Sequence, residues 1–192
     1  MSAVITLLAA AILTDNIVLS KLLGVTEAAD EQAGLLPLLK KCGLLTALML
    51  ITTAAFYPLD RFVLSPLEIE YLSALAAIII ICGILALVFT LSKKLLPAVY
   101  GFISQNSALL YCSAAVLGVC LSSVTCNNVT SYPLALLYAV GAGLGFTLVS
   151  VIFYAINYRM AAVELPDTVK GLPITLIIAA LLSVAFGGFA GI

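Results

Sequence analysis

Ala76-Ala77-Ile78-Ile79-Ile80-Ile81 is the stretch on which the fold turns. A chain crosses a bilayer only as an α-helix or a closed β-barrel, because every backbone N–H and C=O must find a partner without water. Barrel strands alternate lipid-facing and lumen-facing residues, and six consecutive apolar side chains do not alternate. The run therefore belongs to an apolar helix. The uncharged segment around it, 71–90, is long enough to span, since about 20 apolar residues cover the hydrocarbon core.

Working outward with the same test gives six candidate spans: 3–23 (interrupted by Asp15 and Asn16), a second within 43–59, then 71–90, 107–121, 134–156 and 172–190. No residue from 95 to 158 is charged, and the polar cluster Ser122-Ser123-Val124-Thr125-Cys126-Asn127-Asn128 before Pro133 supplies a turn inside that stretch. Gly171-Leu172-Pro173 opens the sixth span. Residues 1–13 lack the basic start and small-residue cleavage site of a secretory signal and are read as part of the first span. The expected fold is an all-α integral membrane protein forming one transmembrane domain over 1–192.

Composition agrees with a chain immersed in lipid. Hydrophobic residues make up 64% and charged residues 9%, against roughly half and a quarter in a soluble domain. Eight Lys+Arg and nine Asp+Glu are too few to cover a water-facing surface. Histidine is absent, which removes His-ligated haem and zinc and histidine proton relays. A net charge of −1 without a basic stripe gives nucleic acid nothing to bind. The five cysteines, Cys42, Cys82, Cys112, Cys120 and Cys126, form no CxxC pair and read as small buried hydrophobes rather than a disulfide framework. Without a nucleophile–base pair, a stand-alone enzyme is not expected.

Positive charges near span ends set orientation. Lys21, Lys40, Lys41, Lys93, Lys94, Arg159 and Lys170 fall in the odd loops, the second loop holds only Arg61, and the fourth holds none. The odd loops are therefore expected in the cytoplasm and both termini outside. Leu23-Gly24-Val25 recurs as Leu117-Gly118-Val119, Arg61 as Arg159, and Pro66 with Leu72 as Pro166 with Leu172. Two copies of three helices, about 1–94 and 95–192, would be inverted relative to one another, an arrangement that often builds its site at the midplane from broken helices.

Asp15 lies near the middle of the first span, where a carboxylate costs about 2.5–3.5 kcal/mol on insertion scales. Two readings of Asp15 and Asn16 stay open: an ion or proton path, or a cap-like break that carries no ion. Ser104-Gln105-Asn106 before span four is either the matching break in the second repeat or simply a polar start to a helix. Gly141, Gly143 and Gly145, without a following Lys-Ser/Thr or a strand, read as a close helix-packing surface rather than a phosphate loop. Asn128-Val129-Thr130 fits a glycosylation sequon only in form.

At this point the residues resemble a family. Asp15-Asn16-Ile17-Val18-Leu19-Ser20-Lys21-Leu22-Leu23-Gly24 resembles the N-N-F-V-L-x-x-F-L-G opening of the A-type polypeptide of the Rnf electron-transport complex, and is similar to the E-type polypeptide of the sodium-pumping NADH:quinone reductase. Tyr71-Leu72, Pro97 with Tyr100, Ala115-Val116-Leu117-Gly118-Val119, Gly145-Phe146 and the closing helix keep the family's register. The resemblance implies six helices in two inverted repeats, with broken first and fourth helices, in a bacterial or archaeal cytoplasmic (inner) membrane. It also implies partnership with an inverted homologous membrane subunit, and redox-driven sodium or proton transport linked to ferredoxin or NADH. Flavins and other iron–sulfur clusters are then expected only in partner subunits.

One departure matters. The family's two cysteine ligands to a shared [2Fe-2S] cluster fall on Thr26 and Ala114, and a glutamate late in the third helix falls on Phe89. Cys112 is two residues from the expected ligand, but two helical positions turn a side chain by about 200°. The resemblance and the departure together imply a divergent subunit without cluster ligands of its own. The alternative is a cofactor-free transport or scaffold protein that keeps the fold.

Overall fold

The computed structural model describes residues 2–28, 34–66, 69–95, 113–126, 129, 131–160 and 171–188, and no strand occurs among them. Helix α1 (Ser2–Ala9) runs into a π-helical turn (Ala10–Thr14) and is followed by two single-turn helices, α2 (Ile17–Ser20) and α3 (Val25–Ala28). Helix α4 (Leu35–Leu59) continues as a second π turn (Asp60–Leu64), and a 3-10 turn (Glu70–Leu72) leads into α5 (Ser73–Leu95). The second half holds α6 (Ala114–Thr125), α7 (Tyr132–Met160) and α8 (Leu172–Gly187).

Three helical segments are long and apolar enough to cross a membrane: Leu35–Leu64, Ser73–Lys93 and Tyr132–Met160. They correspond to the expected spans two, three and five, although α4 begins well before residue 43 and takes in Lys40 and Lys41. Of the fourth span only the second half is described, as α6; the Ser104-Gln105-Asn106 group, Cys112 and the expected break in this helix lie outside the described residues. The sixth span is the shorter α8.

Helices α4 and α7 form the spine of the core and run antiparallel. Thr46 packs on Gly143, while Tyr57 stacks edge-on with Tyr132 at a centroid distance of 6.1 Å. Leu38, Cys42, Leu45 and Met49 from α4 pack with Phe146, Val149 and Phe153 from α7, and Val18, Val116 and Val119 complete the cluster. Pro58 sits inside α4, where its missing N–H frees the carbonyl four residues back. That carbonyl, on Ala54, accepts a hydrogen bond from the Tyr132 hydroxyl at 3.4 Å, so the helix pair closes its own defect.

The glycines of α7 are the packing surface that the sequence indicated. Gly141 and Gly145 share a face: a Cβ on Gly141 would lie 3.0 Å from the Cβ of Ala11, and one on Gly145 would lie 2.8 Å from Asn16 Nδ2. Gly143 points the other way, onto Thr46 of α4. Gly187 and Gly188 meet nothing within 4 Å. Cys42 and Cys120 are buried as expected, whereas Cys82 is exposed.

Candidate functional site at the broken first helix

The first helix is broken twice, at Asp15–Asn16 and again at Leu22 and Gly24. At the first break the π turn closes with Asp15 N–H donating to Ala10 O at 2.7 Å, and Asn16 then leaves the helix with ψ 116°. The Asn16 side chain staples both sides of the gap: Nδ2 donates to Ile12 O at 2.9 Å and Oδ1 accepts from Val18 N–H at 3.1 Å. It serves the last carbonyls of one helix and the first amides of the next, groups left orphaned at helix ends. Asn16 is 1% exposed. Asp15, its sequence neighbour, is exposed in the single chain.

The second break follows at once. Leu22 and Gly24 adopt left-handed backbone, with φ 54° and 78°. For leucine this costs about 1–2 kcal/mol. At Gly24 a side chain is excluded by space as well, because a Cβ would lie 2.8 Å from the Cβ of Ala115. Ile17 and Leu23 both lie against Gly118 of α6, and between them Lys21 Nζ donates to Ser122 Oγ, one turn farther along α6. Ser183 Oγ of α8 donates to Leu19 O at 2.8 Å and ties the segment from its other side.

This path corrects the sequence reading of Lys21. The charge count puts it on the face of the odd loops, yet its ammonium meets the last turn of α6, which leads into the fourth loop. The reason is geometric: the chain doubles back after Asn16, and a lysine stem is long enough to carry its charge past the turn. Six cations of the sequence count then remain at or near the ends of the expected spans that face the odd loops.

Helix α3 delivers a residue that the sequence did not single out. Glu27, buried, accepts from Ser113 Oγ at 2.7 Å through Oε2 and from Ala114 N–H at 3.1 Å through Oε1. A carboxylate is thereby seated at the positive N-terminal end of α6, where an anion is favoured. Lys41, also buried, donates to the backbone carbonyl of Glu27 at 3.1 Å. Ser113 ahead of an apolar run is a legible helix cap, but its partner stands 86 residues away and nothing local announces it.

The two positions singled out by the resemblance are thus brought together. Thr26 adjoins Glu27, whose carboxylate touches the backbone of Ala114; Thr26 is exposed and Ala114 half-buried. Phe89 packs against the main core. Among the described residues no group of three or more Cys, Asp or Glu is placed to hold a metal ion. The arrangement fixes a double reversal of backbone against α6, α7 and α8, with the Glu27 carboxylate buried, Asp15 exposed, and Lys41 drawn into the interior.

Residues 4–192 match the family model described as Rnf-Nqr subunit, membrane protein. The chain is 33% identical to the A subunit of the ion-translocating oxidoreductase complex of Aliivibrio fischeri, an alignment covering 100% of this chain and 98% of that protein. It is also 33% identical to the A subunit of the Na(+)-translocating ferredoxin:NAD(+) oxidoreductase complex of Acetobacterium woodii, covering 94% and 93%. The corresponding protein of Actinobacillus pleuropneumoniae, again from an ion-translocating oxidoreductase complex, is 34% identical over 94% of this chain and 92% of its own. With a match that runs through both breaks and every described helix, the chain belongs to the Rnf-Nqr subunit family of membrane proteins.

Proposed function

We propose that this chain is an integral membrane subunit of an Rnf/Nqr-type complex that couples electron transfer, linked to ferredoxin or NADH, to translocation of sodium or protons. The observation that carries the reading is the full-length similarity to membrane subunits of ion-translocating oxidoreductases. The test is made on inverted membrane vesicles. Deleting the gene should abolish ferredoxin- or NADH-driven cation uptake, and re-expression should restore it; uptake that survives deletion would overturn the reading.

Within it, the chain has six spans in two inverted repeats, with both termini outside. Support comes from the recurrence of Leu23-Gly24-Val25 as Leu117-Gly118-Val119 and from the contact of Leu23 with Gly118, which places the two copies next to each other. The remaining split of six odd-loop cations against Arg61 supports the orientation. An inverted homologous subunit is the expected partner for the exposed apolar faces of α5 and α8, beside the lipid bilayer. An impermeant thiol reagent should then label Cys126 on intact cells, and labelling only after permeabilisation reverses the orientation.

The chain holds no family-type [2Fe-2S] cluster. Thr26 and Ala114 offer a hydroxyl and a methyl where iron requires thiolate or an equivalent ligand. The adjoining carboxylate, on Glu27, is already committed to Ser113 and Ala114. The residues present do not fit the group, and Asp15 and Asn16 serve helix-break geometry or ion contact. Iron analysis and EPR on the reduced, purified complex decide the matter: a stoichiometric [2Fe-2S] signal lost on Cys112→Ser would overturn this reading. The same departure keeps a second reading alive, a cofactor-free transport or scaffold protein, which a complex purified without redox subunits would favour.

A further inference from the structure

Beside the Pro58 defect, the end of the α4 segment and the start of α7 leave an open groove of about 590 Å³. Tyr57, Pro58 and Phe62 wall it on one side and Tyr132 on the other, while Arg61 and Ser131 supply its polar part. These residues sit at the ends of two membrane spans, Leu35–Leu64 and Tyr132–Met160. Span ends are where the hydrocarbon core gives way to the headgroups.

The walls suit a lipid. Phe62 is 81% exposed, and Tyr132 is exposed as well, although its hydroxyl is turned to Ala54 O of α4. Aromatic rings are enriched at the membrane–water interface, where one edge meets acyl chain and the other meets headgroup. Pro58 adds an apolar ring and no N–H.

The polar part suits a phosphate. Arg61 is exposed, and among the described residues the contact shown for its guanidinium is the face of the Tyr57 ring, 6.0 Å from carbon to centroid. A guanidinium over a ring face still has N–H groups to give, and its fork matches phosphate oxygens. Helix α7 starts on the same groove: Leu134 and Ala135 N–H donate to Ser131 O at 3.0 and 3.1 Å, so the positive end of a 29-residue helix opens there. Asp60 lines a neighbouring cavity and not this groove.

We propose that the groove holds one phospholipid of the surrounding membrane, with its phosphate on Arg61 and the first turn of α7 and an acyl chain along Tyr57, Pro58 and Phe62. The occupant is a lipid rather than a free anion because most of the wall is aromatic or apolar and would stay wetted under a bare phosphate. The inference rests on the membrane location of the chain and not on its proposed part in ion translocation.

The test uses the purified complex in a maltoside detergent, which carries no phosphate. It is given photoactivatable phosphatidylglycerol or a diacylglycerol with the same reactive acyl chain, and cross-links are mapped by peptide mass spectrometry. Phosphatidylglycerol should label residues 57–62 and 131–132, roughly tenfold more than diacylglycerol, the effect of one charge-assisted hydrogen bond. Arg61→Gln should remove the preference, and Arg61→Lys should keep part of it, which shows that the groove itself survives a change at this position. Inorganic phosphate in excess should not displace the label. No cross-link in either segment, as when a partner polypeptide covers the groove, would overturn the proposal. So would equal labelling by the two probes, a preference that survives Arg61→Gln, or displacement by inorganic phosphate, which would mark an ion site. None of these readouts requires electron transfer, so failure here is distinguishable from failure of the proposed function.

Discussion

Helices α5 and α7 look alike on paper and behave differently in the fold. Both are apolar and both are long enough to span, at 23 and 29 residues. Of the most apolar window of α7, 56% is buried within the chain, against 17% for α5. Yet α5 is the more apolar of the two, with Ile78, Ile79 and Leu87 exposed. In lipid an isoleucine gains little by leaving acyl chains for protein, so hydropathy does not choose which helix goes inside. Small residues and polar contacts choose it. Gly141, Gly143 and Gly145 let α7 meet α1 and α4 at backbone distance, whereas Gly83 of α5 has nothing within 4 Å.

The strongest way to break the comparison is to fill the closest of these contacts. Gly145→Leu has no room, because its Cβ would already lie 2.8 Å from Asn16 Nδ2 and 3.1 and 3.2 Å from the carbonyls of Ala11 and Ile12. It should prevent assembly of the folded chain, and Gly145→Ala alone should cost about 1–3 kcal/mol as overpacking. The chain has no tryptophan, but Cys42 and Cys120 are buried. A thiol-reactive fluorophore that reports their exposure on heating in detergent therefore measures the loss. Unchanged melting of Gly145→Ala would show that α7 does not owe its burial to this contact.

Glu27→Ala should come next. It strips a buried acceptor from Ser113 and from the first amide of α6, a loss of about 2–3 kcal/mol for hydrogen bonds to a charged group. The same melting assay reads it, and Glu27→Gln should recover part of the loss. Asn16→Ala removes the cap of α2 and the bond to Ile12 O together, for about 1–2 kcal/mol. Asn16→Asp should keep the cap and lose the donated bond, and so fall between the two. The smallest effect belongs to α5: Gly83→Ala should leave melting unchanged or raise it slightly, by at most about 1 kcal/mol, from helix propensity alone. A clear loss there would mean that α5 is packed against a partner at Gly83 rather than against lipid.

The site is legible in the sequence only in part. Asp15 and Asn16 stand out because polar residues in an apolar span are conspicuous, and the structure separates their roles: Asn16 is the buried staple and Asp15 is exposed. Glu27 and Lys41 look like ordinary loop charges because their burial depends on the second break, at Leu22 and Gly24, which folds them back onto α6. A charge count puts Lys21 at the wrong end of the bundle because the first break, at Asn16, turns the chain back before it.

By itself the sequence determined that this chain is helical and lives in a membrane, where three of its spans lie, and to which family it is similar. Each follows from terms that act residue by residue or over one turn of helix: transfer into lipid, backbone satisfaction and motif spacing. The tertiary structure alone decided which apolar helix is buried, which face each glycine serves, and which carboxylate caps α6. Those outcomes depend on pairs such as Gly145 with Asn16, Gly118 with Leu23 and Glu27 with Ser113. Their partners lie far apart along the chain, where no local pattern can join them, and close packing brings them within a few ångströms.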